Sequence, residues 1–257
     1  MNHNTLIVDQ FTQQAASYTQ LTTLLAGDRA KALRAMLQPA PTDVALEVCC
    51  GPGALGLDIA SAVKHLTAMD ITPAMLDQGR LRQARLGLNN VTWTIGDVNA
   101  IPYDDESFSI VMCGSAFHHL PDPKQAFDEM IRVCRPGGRI LVRDVTPEEN
   151  KIESYDRIET MRDPSHVHAL TVDELRALGS DRPVEEIALK TKATPHLCLE
   201  AVLATSFPEA GNLDEIRALL REDAVAGTDR FGLFAALVEG QVHIAYRMST
   251  ALWRRRA

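Results

Sequence analysis

The chain lacks a basic stripe, a long apolar run and a spaced set of cysteines, and each absence removes a class of function. Its 257 residues carry 26 lysines and arginines against 34 aspartates and glutamates, a formal net charge of −8. A protein that follows a phosphate backbone needs clustered cations, so no nucleic-acid partner is expected. Arg254-Arg255-Arg256 reads as a solvated tail, and Arg80, Arg82 and Arg85 as the exposed face of one helix. No segment approaches the ~20 apolar residues that cross a bilayer. The start, Met1-Asn2-His3-Asn4-Thr5, has no basic region leading into an apolar one. A cytoplasmic protein without a membrane span is therefore expected. Of five cysteines, Cys49 and Cys50 are adjacent and Cys113, Cys134 and Cys198 are scattered, with no Cys-x-x-Cys spacing. They read as small buried apolar residues, and neither a disulfide framework nor a metal site is expected.

What is present is alternation. Residues 5 to 38 read as helices with an apolar stripe of Leu21, Leu24, Leu25, Leu33, Met36 and Leu37, ended by Pro39 and Pro41. Strands are expected near 44–49, 65–69, 91–95, 108–113 and 139–145, with helices near 54–63, 73–86 and 123–135 between them. Phe127, Met130, Ile131 and Cys134 share one helical face, and Pro136-Gly137-Gly138 should stop that helix before the fifth strand. This order predicts an α/β fold, a mostly parallel Rossmann-like sheet with helices on both faces. Beyond residue 146 the pattern loosens. Thr171-Val172-Asp173-Glu174 is a capped helix start. Val184 to Lys192 reads as a sixth strand, 195–206 and 212–225 as helices, and Gln241 to Leu252 as the last strand. The length suits a single domain over 1–257 with a sizeable core, and no internal repeat appears.

The densest signal is Val44 to Ala60. A branched apolar run ends in a glycine-rich turn, and an apolar periodic segment then opens a helix. Glycines let a ligand approach the backbone, and the helix start offers free N–H groups. Gly51-Pro52-Gly53-Ala54-Leu55-Gly56 matches the G-x-G-x-x-G of dinucleotide-binding proteins, so a nicotinamide-dependent oxidoreductase is one reading. The acidic residues favour another. Glu47 lies inside the first strand, and Asp70 and Asp97 close the next two. Three carboxylates suit an ammonium, a ribose diol and an adenine amino group, and they repel a pyrophosphate.

Those residues resemble a class I S-adenosylmethionine (SAM) dependent methyltransferase, nearest the small-molecule group that includes the quinone C-methyltransferases. The resemblance runs through Glu47, Cys49, Gly51 and Gly53, with Cys49 in place of the family's first glycine. It continues through Met69 to Leu76, Gly96 to Tyr103 and Phe108 to Leu120, and ends at Arg135 to Val142. It implies a seven-stranded sheet whose final pair is antiparallel, with an N-terminal helical lid over 1–40, a SAM-binding core over 41–146 and a cap from 147–170 and 193–238. It also implies that Asp70 holds the ribose, that Asp97 holds the adenine amino group, and that Ile71 and Val98 sandwich the ring with Met75 nearby. Glu47, Gly51, Gly53 and Ser115 complete the expected cofactor set, with S-adenosylhomocysteine (SAH) as product. A SAM-binding protein that transfers no methyl group is a further alternative.

The acceptor half is less determined, because the sulfonium is already an excellent leaving group and the protein needs chiefly to align, exclude water and accept a proton. His118 and His119 are candidates for that proton. Adjacent histidines point apart, so joint metal binding is not expected. Phe11, Tyr18, His166 and His168 are the candidate substrate residues, contributed by the N-terminal segment and the run Asp163-Pro164-Ser165-His166-Val167-His168. The acceptor is expected to be a small molecule of unspecified class, with carbon, oxygen or nitrogen as the methylated atom. A monomer or a homodimer is expected.

Overall fold

A computed structural model describes residues 2–24, 26–208 and 211–257. Leu25, expected in the first apolar stripe, lies outside the described residues. Two helices, α1 (His3–Leu24) and α2 (Ala26–Leu37), precede β1 (Val44–Val48), α3 (Gly56–Ile59), β2 (His65–Asp70), α4 (Pro73–Leu86), β3 (Val91–Ile95) and β4 (Phe108–Gly114). Then follow α5 (Pro123–Val133), β5 (Cys134–Val145), α6 (Ile152–Arg162), α7 (Val172–Ala177) and β6 (Val184–Ala193). The chain closes with β7 (Leu197–Cys198), α8 (Leu199–Leu203), α9 (Asn212–Ala226), β8 (Ala236–Val238), β9 (Gln241–Ile244) and β10 (Arg247–Arg255).

Seven strands form one sheet in the order β3-β2-β1-β4-β5-β10-β6. Strands β1 to β5 run parallel, and β10 is antiparallel to both of its neighbours, as a seven-stranded, mostly parallel sheet requires. A parallel sheet is buried on both faces, which is why its interior strands β1 and β4 are mostly apolar and buried. On one face Val48, Val111, Val142 and Trp253 pack against Phe127 and Met130 of α5, with the Phe127 and Trp253 rings 4.9 Å apart. On the other, Ala45, Met112, Leu141 and Leu252 pack against Leu33 and Leu37 of α2. A third apolar cluster joins Tyr155 and Ile158 of α6 to Val202, Leu220 and Phe231 beyond the sheet, beside a small β7-β9-β8 sheet.

Local chemistry sets most boundaries. Asp122 accepts from the N–H groups of Lys124 and Gln125, and Pro123 opens α5. Gly87, in the left-handed region, ends α4, and Thr171 with Glu174 forms a reciprocal capping box on α7. Several expected boundaries are corrected. The helix expected over 54–63 shrinks to α3 plus one 3-10 turn, Ala60–Ala62. Helix α5 stops at Val133, and Pro136-Gly137-Gly138 lies inside β5, where the pairing register with β4 shifts. The segment 195–206 holds β7 and the short α8, not one helix. The final strand is divided, because β9 pairs in the small sheet and β10 in the large one. The arginines also differ from expectation. Arg255 belongs to β10 and bonds the Arg132 and Cys134 carbonyls, and Arg82 is buried against the Pro52 carbonyl at 2.8 Å.

Glu47 sits on the interior strand β1, 1% exposed, with Oε1 accepting from Leu55 N–H at 2.9 Å and Oε2 from Gly56 N–H at 2.8 Å. It ties the glycine turn to the sheet. A Cβ on Gly56 would lie 2.6 Å from Glu47 Oε2, so the third glycine of the turn is there to admit the carboxylate. Burial pushes the Glu47 carboxyl from its ordinary 4.5 up to about 7, against the two N–H bonds that pull it down. A folded pKa above the unfolded one means that folding favours the protonated form. The stabilisation is complete below about 4.5 and is lost as pH rises through about 7, on the order of 3 kcal/mol in all. We expect the Tm of the protein to fall across pH 5.5 to 8 and that of Glu47→Gln to vary less. The variant should melt lower throughout, because one amide N–H2 faces a backbone donor. Thermal melts at five pH values check this, and equal slopes for the two proteins would contradict it.

Candidate active site

Two adjoining cavities open at the carboxyl ends of the parallel strands. The smaller, about 80 Å³, is bounded by Gly51, Asp70, Ile71, Met75, Asp97 and Val98, together with Ser115. Those seven sequence candidates therefore meet around one space. The turn that floors it has positive φ at Cys49 (48°), Gly51 (51°) and Gly53 (72°). A non-glycine residue in that region is held at a conformational cost of about 1–2 kcal/mol. Cys49 accepts it while its side chain packs toward Cys113 on the neighbouring strand β4. Asp70 completes the floor, with Oδ2 accepting from Gly51 N–H at 2.7 Å and Oδ1 from Thr72 N–H at 2.8 Å. Burial raises its pKa despite those bonds.

Asp97 starts the 3-10 turn Val98–Ala100, with Oδ1 accepting from Asn99 N–H at 2.9 Å. Its other oxygen accepts from Asn4 Nδ2 at 2.9 Å, so the first turn of α1 lies over this end of the cavity. Asn4, Ile7 and Asn99 are lining residues that sequence reasoning missed. The only signal for Asn4 was its place in a helix expected to form a lid. Two expected cofactor residues lie elsewhere. Glu47 lines neither cavity, since both its oxygens are committed to the turn. Gly53 is a packing glycine, where a Cβ would come within 2.8 Å of Trp93.

The larger cavity, about 700 Å³, shares Phe11, Tyr18, Ala54, Gly114, Ser115 and His119 with the smaller. Phe11 stands edge-on to both Tyr18 (6.1 Å) and His119 (5.1 Å) at this junction. Burial raises the Tyr18 pKa, leaving a neutral phenol. His118 lies just beyond, with Nδ1 donating to Asp144 Oδ1 at 2.7 Å. Burial works against the imidazolium, but the Asp144 carboxylate outweighs it and raises the His118 pKa above its usual 6.5. Asp144 itself, where burial opposes the charge, is held below the usual carboxylate range by His118 and by N–H bonds from Val145 and Phe117. Sequence reasoning missed Asp144, because the strand-end position that pairs it with His118 is 26 residues away in sequence.

His119 is the opposite case. Its Nδ1 donates to the Ser165 carbonyl at 3.0 Å, and burial, with His118 alongside, lowers its pKa to about 3. It is a neutral imidazole with Nε2 free to accept.

His166 and His168, expected to meet the substrate, line neither cavity. Asp156 of α6 takes both, His166 Nε2 and His168 Nδ1 each at 2.7 Å, and His168 also reaches Glu174. The alternation that brings these two rings to one side serves a carboxylate that braces the loop against α6. Among the described residues, no cluster of three histidine, cysteine or acidic side chains could hold a metal ion, and no helix is long and apolar enough to cross a membrane.

Comparison with known proteins bears on this arrangement. Residues 45–138 match a family described as a methyltransferase domain. The demethylmenaquinone methyltransferase of Lactobacillus johnsonii is 30% identical over 169 residues, 58% of this chain and 67% of that protein. YcgJ of Bacillus subtilis, an uncharacterized methyltransferase, is 30% identical over 137 residues, 52% of this chain and 54% of its own length. The chain spans about half the length of the first curated relatives it matches. In fold it resembles the solved structure of BH2331 from Bacillus halodurans C-125, at a TM-score of 0.80 and 23% identity over 90% of this chain and 100% of that one. Since a relative at this identity aligns over two thirds of its length and the matched domain holds the strand ends that build the smaller cavity, the chain belongs to the class I methyltransferase family.

Proposed function

We propose that the protein transfers a methyl group from SAM to a small-molecule acceptor, with the cofactor over the glycine turn and the acceptor in the larger cavity. One observation carries this reading: Asp70 and Asp97, at the ends of adjacent strands, face a single cavity floored by Gly51 and walled by Ile71 and Val98. That donor set fits the cofactor. A carboxylate matches a ribose diol or an adenine amino group, and the apolar pair matches the faces of a purine. About 80 Å³ is smaller than the ~300 Å³ at which small-molecule sites begin, so the first turn of α1 must yield as the cofactor enters. Asn4, bonded to the Asp97 oxygen that would receive adenine, marks the contact that has to open. Bound SAM would supply an electrophilic methyl group on sulfur.

The chain's own work is positioning, water exclusion and proton transfer. Residues 1–40 would act as the lid, 41–146 as the cofactor floor, and 147–170 with 193–238 as the cap. Phe11, Tyr18, Ser115 and His119 stand where the two spaces meet, and so would border the reacting centre. His118, oriented through Nδ1 by Asp144, directs Nε2 to the acceptor side and is the residue placed to take a proton. His119 is too acidic as an imidazolium to hold one at neutral pH and would accept a hydrogen bond instead.

Two outcomes follow. SAH should bind the protein while NAD does not, and Asp70→Ala should weaken SAH by at least tenfold, matching loss of charge-assisted bonds of about 1.5–3 kcal/mol each. Calorimetric titration on variant protein with an intact melting transition checks this, and unchanged SAH affinity would remove the assignment. Methyl transfer, assayed against a metabolite panel with labelled SAM, should lose about 10²–10⁴-fold in kcat/KM on His118→Gln, with SAH affinity kept within threefold. Because the folded pKa of His118 lies above 6.5, the active neutral form increases as pH rises through it. The rate should climb with pH to a plateau, and Asp144→Asn should move that rise to lower pH. A flat profile would exclude His118 as the base.

A further inference from the structure

The wall of the larger cavity formed by β5, β10 and β6 is cationic, and the methyltransferase reading does not account for it. Arg143 on β5, Thr250 on β10 and Lys190 on β6 stand side by side across three strands on one sheet face. Lys192 follows two residues further along β6, and all four line the cavity. Cationic side chains outnumber acidic ones in this lining by five to three. The other two cations are committed, Arg29 to Asp58 and Arg162 to Glu159. Arg143, Lys190 and Lys192 have no carboxylate within ion-pairing distance among the described residues. Lysines on an edge strand are ordinary protection against pairing with another chain. Arg143 is different, because β5 is an interior strand two places from that edge.

An arginine rarely stands on an interior strand without a partner, since a charge withdrawn from water and left unpaired is destabilising. Arg143 is half-buried on the cavity wall, burial and the nearby Arg29 lower its pKa to about 10, and among the described residues no hydrogen bond to its guanidinium offsets that effect. The planar fork is suited to a carboxylate or phosphate bound through two parallel bonds. Around it the cavity offers apolar and phenolic surface from Leu197, Val202, Tyr155 and Tyr246. We infer that the acceptor is an anion with an apolar body, its carboxylate or phosphate group clasped by Arg143 and its body lying between the phenols and the His118 end of the cavity. The row from Arg143 to Lys190 leads away from β1 and the turn, and Arg143 does not line the smaller cavity. This direction favours an anion of the acceptor over the carboxylate of the cofactor. The inference rests on the two-cavity reading above and names the class of molecule that the second cavity takes.

The test is calorimetry on the full chain loaded with SAH, using 2-naphthoate, 2-naphthyl phosphate and the uncharged 2-naphthamide as probes. One of the anions should bind at least tenfold tighter than the amide, and the preference between the two anions identifies the group. Arg143→Gln should abolish that margin, and Arg143→Lys should keep part of it, while both leave SAH affinity within threefold. Arg143→Gln should also raise the Tm, because it removes an unpaired charge from the sheet. Equal binding of anions and amide, no binding of either anion, or a margin that survives Arg143→Gln would overturn the inference. Loss of SAH affinity in parallel with the anion would overturn it too, by making the cofactor's carboxylate the partner of Arg143. Failure of SAH to bind the parent protein would instead defeat the methyltransferase reading, and titration of the unloaded protein with the same probes would still decide the anion site.

Discussion

The structure depends on two buried carboxylates that hold the backbone of one glycine turn. Glu47 takes the N–H groups of Leu55 and Gly56 from beneath, and Asp70 takes that of Gly51 from the adjacent strand. Arg82 closes the arrangement by donating to the Pro52 carbonyl. Three positions of the turn have positive φ, a shape that would relax if these groups were not held. Each carboxylate is costly to bury, and each is satisfied by backbone donors that would otherwise be orphaned where the strand meets the helix. The turn therefore keeps its shape without a ligand, and a floor that is fixed beforehand loses little on binding.

The rest of the site is built around that floor from parts with separate support. The α6, α8 and α9 region has its own apolar cluster, which meets the large sheet at Val145 and Met248. The N-terminal helix is attached by polar contacts, Asn4 to Asp97, His3 to the His119 carbonyl and Gln14 to Asp163, and by Phe11 edge-on to His119. A helix secured by separate contacts of this kind can open at smaller cost than one secured by a continuous apolar face. Such attachment suits an element that opens and closes over a cavity.

The polar interior between floor and cap is organised by pairing. Glu159 with Arg162, Asp144 with His118 and Asp163 with Ser165 and Gln14 each satisfy a charge that would be expensive alone. The two neighbouring histidines diverge for the same reason. His118 has a carboxylate on its Nδ1 and holds a proton more firmly, while His119 has a peptide carbonyl and gives it up. Arg143 has no such partner among the described residues, and it lies in the space where a ligand would supply one.

The sequence by itself determined the parallel core, because apolar period, proline and glycine are local signals that need no partner. Helix α4 begins at Pro73 and ends before Gly87, and β3 covers Val91 to Ile95, as those signals require. It also placed Asp70 and Asp97 beside one cavity, since both take their places from strand ends alone. Tertiary structure decided what is made of contacts between distant segments. It placed Asp144 on His118, turned His166 and His168 onto Asp156, drew Arg82 under the turn and divided the last strand between two sheets. It committed Glu47 to the backbone where a ligand contact was expected. None of these pairings has a period or spacing of its own. A side chain's partner depends on which elements pack together, and that choice is made by burial over the whole chain.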